Sequence, residues 1–324
     1  IKIVEPILKF GITNCFASPA IWNNVCNYCQ KNNVNLPTLK IALAAGAPIP
    51  GHIIQRLCEG ILPPDGDVFT PYGATESLPV SSISGRARLK NTQKKTNEGG
   101  GICVGQVAPG ARVKIIGISD DRIPFLQDAN ELTKGQIGEI IVNSKTTTNN
   151  YFRKPESTYL AKIMAGQELW HRMGDVGYID ENETLWFCGR KDHRVIINEA
   201  ETLFTIPCEA IFNLHPKVFR SALVGLKNRQ GQTEPILAIE LKVEFVKEAD
   251  SSIAREILQL GQKFKHTKII KKAIFHKKFP VDVRHNAKID RDYLSRWVQV
   301  QFNMKHQQLT NGMALKDPFI EISQ

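Results

Sequence analysis

The sequence predicts an α/β chain of mixed α+β type, with a larger first part and a smaller second one. Three observations predict it. The first third alternates short apolar runs with stretches of helical period, the rhythm of βαβ units on a partly parallel sheet. Residues 102–190 change to short strands between Gly and Asp/Asn turns, as in a smaller antiparallel β lobe. After Gly189 the charged "RKDHR" interrupts the pattern before a mixed α/β rhythm resumes, and such a junction suits a domain boundary. The expected domains are therefore 1–190 and 191–302, with 303–324 as a tail.

In order, "GITNCFA" reads as a strand, 19–31 as a helix, "LKIALAA" as a strand, 49–60 as a helix and "DVFTPY" as a strand. Residues 86–101, "RARLKNTQKKTNEGGG", are polar and Gly-rich and are expected to form an exposed loop. Gly99–Gly101 is no Walker loop, because no Gly-Lys-Ser/Thr follows. "ARVKIIGI", "GEIIVNS", "VGYID" and "TLWFCG" are the expected strands of the β lobe. Beyond the junction, strands are expected near 219–226, 236–244 and 271–276, and helices at 251–262 and from 290.

A chain of 324 residues with 42% hydrophobic and 23% charged residues has the composition of a soluble globular protein. No apolar run approaches the ~20 residues of a membrane span. The first residues lack both a signal peptide's order and an initiator Met, so the chain reads as starting inside a longer protein. Seven Cys, odd in number and scattered, suit a reducing, cytoplasmic compartment. Cys26 and Cys29 form a CxxC, but "AIWNNVCNYCQ" has helical period and no second pair or His cluster follows at zinc spacing. They read as core positions one turn apart. The net charge is +10, densest in "KFKHTKIIKKAIFHKK" (263–278). Nucleic acid is not the expected partner, because no aromatic platform is interleaved and "KIIKKAIF" has the mixture of a half-buried strand.

Four stretches are polar in ways that neither core nor surface requires. "TPYGATES" (70–77) sets a hydroxyl beside a carboxylate after an apolar run. It can be a turn with a helix cap, or a phosphate site in which Thr75 offers the hydroxyl and Glu76 the hard oxygen that Mg²⁺ prefers. In "WHRMGDVGYID", Asp175 follows Gly174 at the mouth of a strand, as a turn residue or as an acceptor for both hydroxyls of a ribose. "GRKDHR" holds Arg190 and Asp192, a surface ion pair or part of the same site, and "RHNAKIDR" holds Lys288 in a small-residue turn before the last helix.

Together and in this order, these stretches resemble the AMP-forming adenylating superfamily of acyl-CoA synthetases, peptide-synthetase adenylation domains and beetle luciferases. "LKIALAAGAPIP" resembles its adenine-binding stretch and "YGATE" its Tyr-Gly-x-Thr-Glu motif. "GGICVGQVAPGARVKI", "GQIGEIIV" and "NNYFRKPEST" resemble β-lobe segments. "MGDVGYIDENETLWFCGRKDHRV", "TLFTIPCEAIFNLHPKVFRSALVGL" and "FPVDVRHNAKIDR" are most similar to the olefin-biosynthesis branch, whose members close β-hydroxy acids into β-lactones. The resemblance implies the C-terminal part of a large adenylate-forming domain followed by a small mobile α/β domain. It implies Gly46, Ala47 and Pro48 against the adenine, Tyr72 lining the pocket, Thr75 on the α-phosphate and Glu76 on Mg²⁺. Asp175 would hold the ribose with Arg190 beside it, Lys288 would bring a cation to the α-phosphate, and Asp192 would be the hinge. ATP and Mg²⁺ are then the cofactors, a fatty acid with a β-hydroxyl the substrate, and enzymes of a lipid pathway conceivable partners.

Two departures qualify the resemblance. The family's Ser/Thr/Gly-rich phosphate loop ending in Pro-Lys has no counterpart in residues 1–71, so this polypeptide alone is expected to be inactive. After the hinge, "HRVIINEAETLFTIP" has Ile196 near a position where many CoA-using members have Lys, and no Gly follows, which argues against a passage for a pantetheine arm. The expected reaction is thus acyl-AMP formation followed by internal attack of the β-hydroxyl. The alternatives are a fatty acyl-CoA or acyl-carrier-protein ligase and, from another class, a non-catalytic binding module.

Overall fold

In the computed structural model, described for residues 2–281, 288–310 and 318–322 (side chains of 305–310 excepted), a short helix α1 (Val4–Phe10) leads into the expected βαβ rhythm. Strands β1 (Asn14–Ala17), β2 (Ile41–Ala44) and β3 (Asp67–Ala74) lie parallel, linked by helices α2 (Pro19–Asn32) and α3 (Gly51–Gly60). Helix α2 starts at Pro19, whose missing N–H costs nothing in a first turn, and ends at Asn33 in the left-handed region. Its buried face is Trp22, Val25, Cys26 and Cys29, the i, i+3, i+4, i+7 row. The CxxC thiols are therefore core positions. Trp22 Nε1 donates to the Leu43 carbonyl at 2.9 Å and ties the helix to β2.

The segment expected as a loop is helical instead. After β4 (Ser77–Ser84) come α4 (Gly85–Ala87), a π turn Arg88–Thr92 and α5 (Gln93–Asn97). The signals were present: Ser84 Oγ accepts from the Ala87 N–H at 3.2 Å as an N-cap, and the glycines fall only at the ends. Arg88 is 3% exposed, and burial pulls its guanidinium down to about 10. Strand β4 was not expected either, because "SLPVSSIS" is Ser-rich and does not alternate in burial.

Strands β5 (Ile102–Val107), β6 (Ala111–Ile116) and β7 (Gly138–Ser144) follow. Helix α6 (Pro155–Ala161) precedes β8 (Lys162–Ala165), β9 (Glu168–Ile179) and β10 (Thr184–Arg190). All ten strands belong to one sheet, ordered β1-β2-β3-β4-β5-β10-β9-β7-β6 with β8 on β9. The pairing turns antiparallel at β4, and strands β1–β4 join the rest of the sheet through a β4–β5 ladder of just two pairs, Ser81↔Val107 and Ser82↔Gln106. Each part keeps its own core, one around Trp22, Ile54 and Val68, the other around Val80, Ile140 and Leu185. Under β9 the buried Arg172 guanidinium grips Glu139 with Nε at 3.0 Å and Nη2 at 2.7 Å, and donates to the carbonyls of Ser119, Asp121 and Leu160.

The described chain divides into two compact units, one of residues 2–96 and 101–191, the other of 97–100, 192–281 and those from 288 onward. In the second, the stretch after "RKDHR" folds into a hairpin of β11 (Val195–Ile196) and β12 (Thr202–Leu203). There follow α7 (Thr205–Phe212), β13 (Val218–Lys227), β14 (Thr233–Leu241), α8 (Ser251–Gly261), β15 (Lys272–Phe275), α9 (Arg291–Thr310) and β16 (Phe319–Glu321). Alternation along β13 and β14 feeds two cores. Leu223, Leu237 and Ile239 join those of α7 and α8, whereas Ala222, Val224 and Ile236 join Leu294 and Val298 of α9. Arg291 forks onto Glu209 at 2.6 and 2.7 Å, and Glu209 also accepts from the Leu223 N–H, so α7, β13 and the start of α9 are tied together. The expected tail after 302 is not separate. Helix α9 continues to Thr310, and Phe319–Glu321 pairs with β15, because Phe319 and Ile320 have apolar partners to cover.

Candidate active site

The stretch "TPYGATES" is neither a helix cap nor an open loop. Strand β3 turns back at Thr75–Glu76 into β4, with Ala74↔Ser77 the last pair and the register irregular at Gly73. A Cβ on Gly73 would sit 2.7 Å from the Ser77 carbonyl oxygen, so only glycine lets the hairpin close this tightly. The result projects Thr75, exposed, and Glu76, half-buried, from a rigid tip.

Asp175 is not at the mouth of a strand but within β9, where Gly174 (φ 65°) breaks the pleat and Arg190 is its cross-strand partner on β10. A Cβ on Gly174 would lie 3.0 Å from Arg190 Nη2, so this glycine makes room for the guanidinium. The structure brings three expected residues together there. Tyr72 Oη donates to Asp175 Oδ2 at 2.8 Å, and Arg190 Nη1 donates to Asp175 Oδ1 at 2.8 Å and to the Met173 carbonyl at 3.0 Å. Burial first, then the charge of Asp175, push the Tyr72 hydroxyl well above its ordinary value, so it stays a neutral donor. The Tyr72 ring lies 5.9 Å from that of Phe187, a neighbour the motifs do not mark.

Gly46 and Ala47 form the bend after β2, and Pro48 follows it. The register Leu43↔Phe69 runs β2 alongside β3, so the bend follows the carboxyl end of β2 on the side where β3 continues toward Tyr72. The carboxyl ends of parallel strands are where open α/β sheets form ligand crevices.

Glu76 has partners that motif reading missed. Tyr151 Oη donates to Glu76 Oε1 at 2.8 Å, and the Thr148 N–H donates to the Glu76 carbonyl at 2.8 Å. Burial would raise the Glu76 carboxyl, but the Tyr151 hydroxyl, a backbone N–H and the nearby His171 and Lys162 outweigh it, leaving its pKa below the ordinary value. Beside it, burial pulls Lys162 down to about 8, opposed by Glu76, and Lys162 Nζ donates to the Thr148 carbonyl. His171, cross-strand from Lys162, is pulled down to about 4 by burial and then by the Lys162 charge. Among the described residues no group of three His, Cys, Asp or Glu could hold a metal. One ionised carboxylate at a hairpin tip instead fits an ion that arrives with a phosphate, since Mg²⁺ takes one or two carboxylates plus substrate oxygens.

Lys288 and Asp192 belong to the other unit and are exposed, Lys288 in a bend just before α9 and Asp192 in the single turn Lys191–His193. No described helix is long and apolar enough to cross a membrane.

Such a fold and arrangement define an adenylate-forming protein. Residues 2–152 match the family of AMP-binding enzymes, and the chain belongs to that superfamily. It is 41% identical over 307 residues to the olefin β-lactone synthetase of Xanthomonas campestris, covering 93% of this chain and 53% of the relative. The chain thus spans about half the length of the curated relative it matches. Among solved structures it is similar to the amide bond synthetase McbA from Marinactinospora thermotolerans (TM-score 0.73, 21% identity, 91% of this chain and 55% of that one). It is also similar to the O-succinylbenzoate coenzyme A synthetase of Bacillus subtilis in complex with AMP (TM-score 0.67, 20% identity, 90% and 52%).

Proposed function

We propose that this chain is part of an ATP-dependent acyl-adenylating enzyme that activates a β-hydroxylated fatty acid and closes it to a β-lactone. The observation that carries the reading is the Tyr72–Asp175–Arg190 junction on the unit whose β3 tip presents Thr75 and Glu76. The 41% identity to an olefin β-lactone synthetase supports the choice of substrate class. In this reading Asp175, its orientation held by Tyr72 and Arg190, accepts from the ribose hydroxyls, and Gly46–Pro48 face the base. Thr75 donates to the α-phosphate, and Lys288 meets the charge that builds there as the substrate carboxylate attacks phosphorus and pyrophosphate leaves. Glu76 would hold Mg²⁺ brought with the nucleotide, which supplies charge neutralisation on the phosphate oxygens. In the second step the β-hydroxyl oxygen attacks the acyl carbon, the acyl–phosphate C–O bond breaks, AMP departs, and the hydroxyl proton is released.

A second reading, an acyl-CoA ligase, is favoured by one observation. A depression of about 590 Å³ in the second unit is lined by Ile196, Asn198, Gly225, Lys227 and Thr233, beside the hairpin expected to close off a pantetheine arm. Mass spectrometry decides between them. The intact protein given ATP, Mg²⁺ and a β-hydroxy fatty acid is expected to release AMP and a neutral lactone without CoA, whereas an unhydroxylated acid stalls as bound acyl-AMP. Ready conversion of the unhydroxylated acid to acyl-CoA would overturn the lactone reading.

A further inference from the structure

We infer that Tyr151 is a positioning residue for Glu76, holding one carboxylate oxygen so that the other is presented to the metal. The inference rests on the reading of Glu76 as the Mg²⁺ ligand, and its residues lie within one unit. The loop after β7 is fastened to the hairpin tip at three points. Ser77 Oγ and Thr147 Oγ1 share a hydrogen bond of 3.0 Å, the Thr148 N–H reaches the Glu76 carbonyl at 2.8 Å, and Tyr151 Oη reaches Glu76 Oε1 at 2.8 Å. Tyr151 is itself held, because its N–H donates to Thr158 Oγ1 at 3.0 Å at the start of α6. Tyr151 and a backbone N–H are the donors to the Glu76 carboxylate among the described residues, so the latch leaves lone pairs of the carboxylate for another ligand.

Physical chemistry says why this arrangement matters. A glutamate has three rotatable side-chain bonds, and Lys162 is close enough to attract its carboxylate electrostatically. A Glu76 released from Tyr151 would gain rotamers and could turn toward that ammonium, both at the expense of a metal complex. Tyrosine is suited to the task because its hydroxyl, a donor, sits at the end of a rigid ring with two torsions.

The test is metal binding rather than turnover. In the intact protein with a non-hydrolysable ATP analogue, free Mn²⁺ is counted by electron paramagnetic resonance while the metal is titrated. Tyr151→Phe is expected to weaken Mn²⁺ binding about tenfold, as for loss of a hydrogen bond to a charged group, with an unchanged thermal midpoint. Thr147→Val, which loosens the same latch without touching the carboxylate, is expected to weaken it less. Glu76→Gln is the control for the underlying reading. If Glu76→Gln leaves Mn²⁺ binding intact, Glu76 is not the ligand and the functional reading fails at that residue. If Glu76→Gln weakens binding but Tyr151→Phe does not, the positioning role is overturned while the ligand assignment stands. A Tyr151→Phe variant that melts earlier but binds Mn²⁺ normally has only a structural tyrosine.

Discussion

Tyr72 and Asp175 stand 103 residues apart in the chain and meet through a 2.8 Å hydrogen bond, with Arg190 on the other carboxylate oxygen. The carboxylate of Asp175 is thus fixed in direction before any ligand arrives. Its proposed ribose contacts exist in ground and transition state alike, so Asp175→Ala in the intact protein should chiefly raise the apparent KM for ATP, by about 10- to 100-fold. Steady-state ATP titration of pyrophosphate exchange checks it. An unchanged KM in a folded variant reduces Asp175 to a structural acceptor.

Lys288 sits exposed in a bend, so Lys288→Ala should leave the unfolding curve unaltered. If its cation meets charge that builds on the α-phosphate, acyl-AMP formation should slow by about 10²- to 10³-fold. Single-turnover quench measures the step directly. Wild-type rates would remove Lys288 from the mechanism.

The fork of Arg291 on Glu209 is buried, with side chains 12% and 6% exposed. Truncating one partner strands the other charge, so Glu209→Ala should destabilise the second unit by about 3–5 kcal/mol. The pair anchors α9 three residues beyond Lys288. Denaturant unfolding followed at Trp297 reads the loss, and a shift below 1 kcal/mol would show the pair to be dispensable.

His171 gives the fold an acid-sensitive limb. Its folded pKa, about 4, lies below its ordinary value of 6.5, through burial and the facing Lys162, with Glu76 and the Ala161 carbonyl opposing. Between these values the unfolded chain binds a proton that the folded one refuses, so stability falls as pH drops from 6.5 toward 4. The loss is of order 3 kcal/mol and levels off below. His171→Gln should flatten that limb in unfolding free energies measured from pH 7 to 4. An identical slope would assign the limb to other groups.

The sequence carried the parallel strands, their helices and the order of the chemical motifs, because each is local: a period, a cap or a run of particular side chains. It failed where the deciding partner is remote. Residues 86–101 look like a loop by composition, yet Arg88 and Leu89 are drawn inward by the core they cover. Phe319–Glu321 is too short for a period and becomes a strand only because β15 offers an edge. Tyr151 lay in a quoted segment without a role, since nothing in "NNYFRKPEST" reveals a bond to Glu76 75 residues away. The position of Asp175 within β9 was not legible, because the break in that strand depends on Gly174 making way for Arg190.

Lys191 closes the first unit with its ammonium 2.7 Å from the Ser119 carbonyl and 3.6 and 3.8 Å from Asp120 and Glu139, next to Arg190 bound to Asp175. Two consecutive side chains therefore stake the backbone down immediately before the boundary. The chain up to Lys191 is held to the first unit, and among the described residues the first without such an anchor to it is Asp192. Lengthening the connection by inserted residues is mechanically neutral only downstream of Lys191. The same insertion one step earlier would pull Arg190 out of register with Asp175.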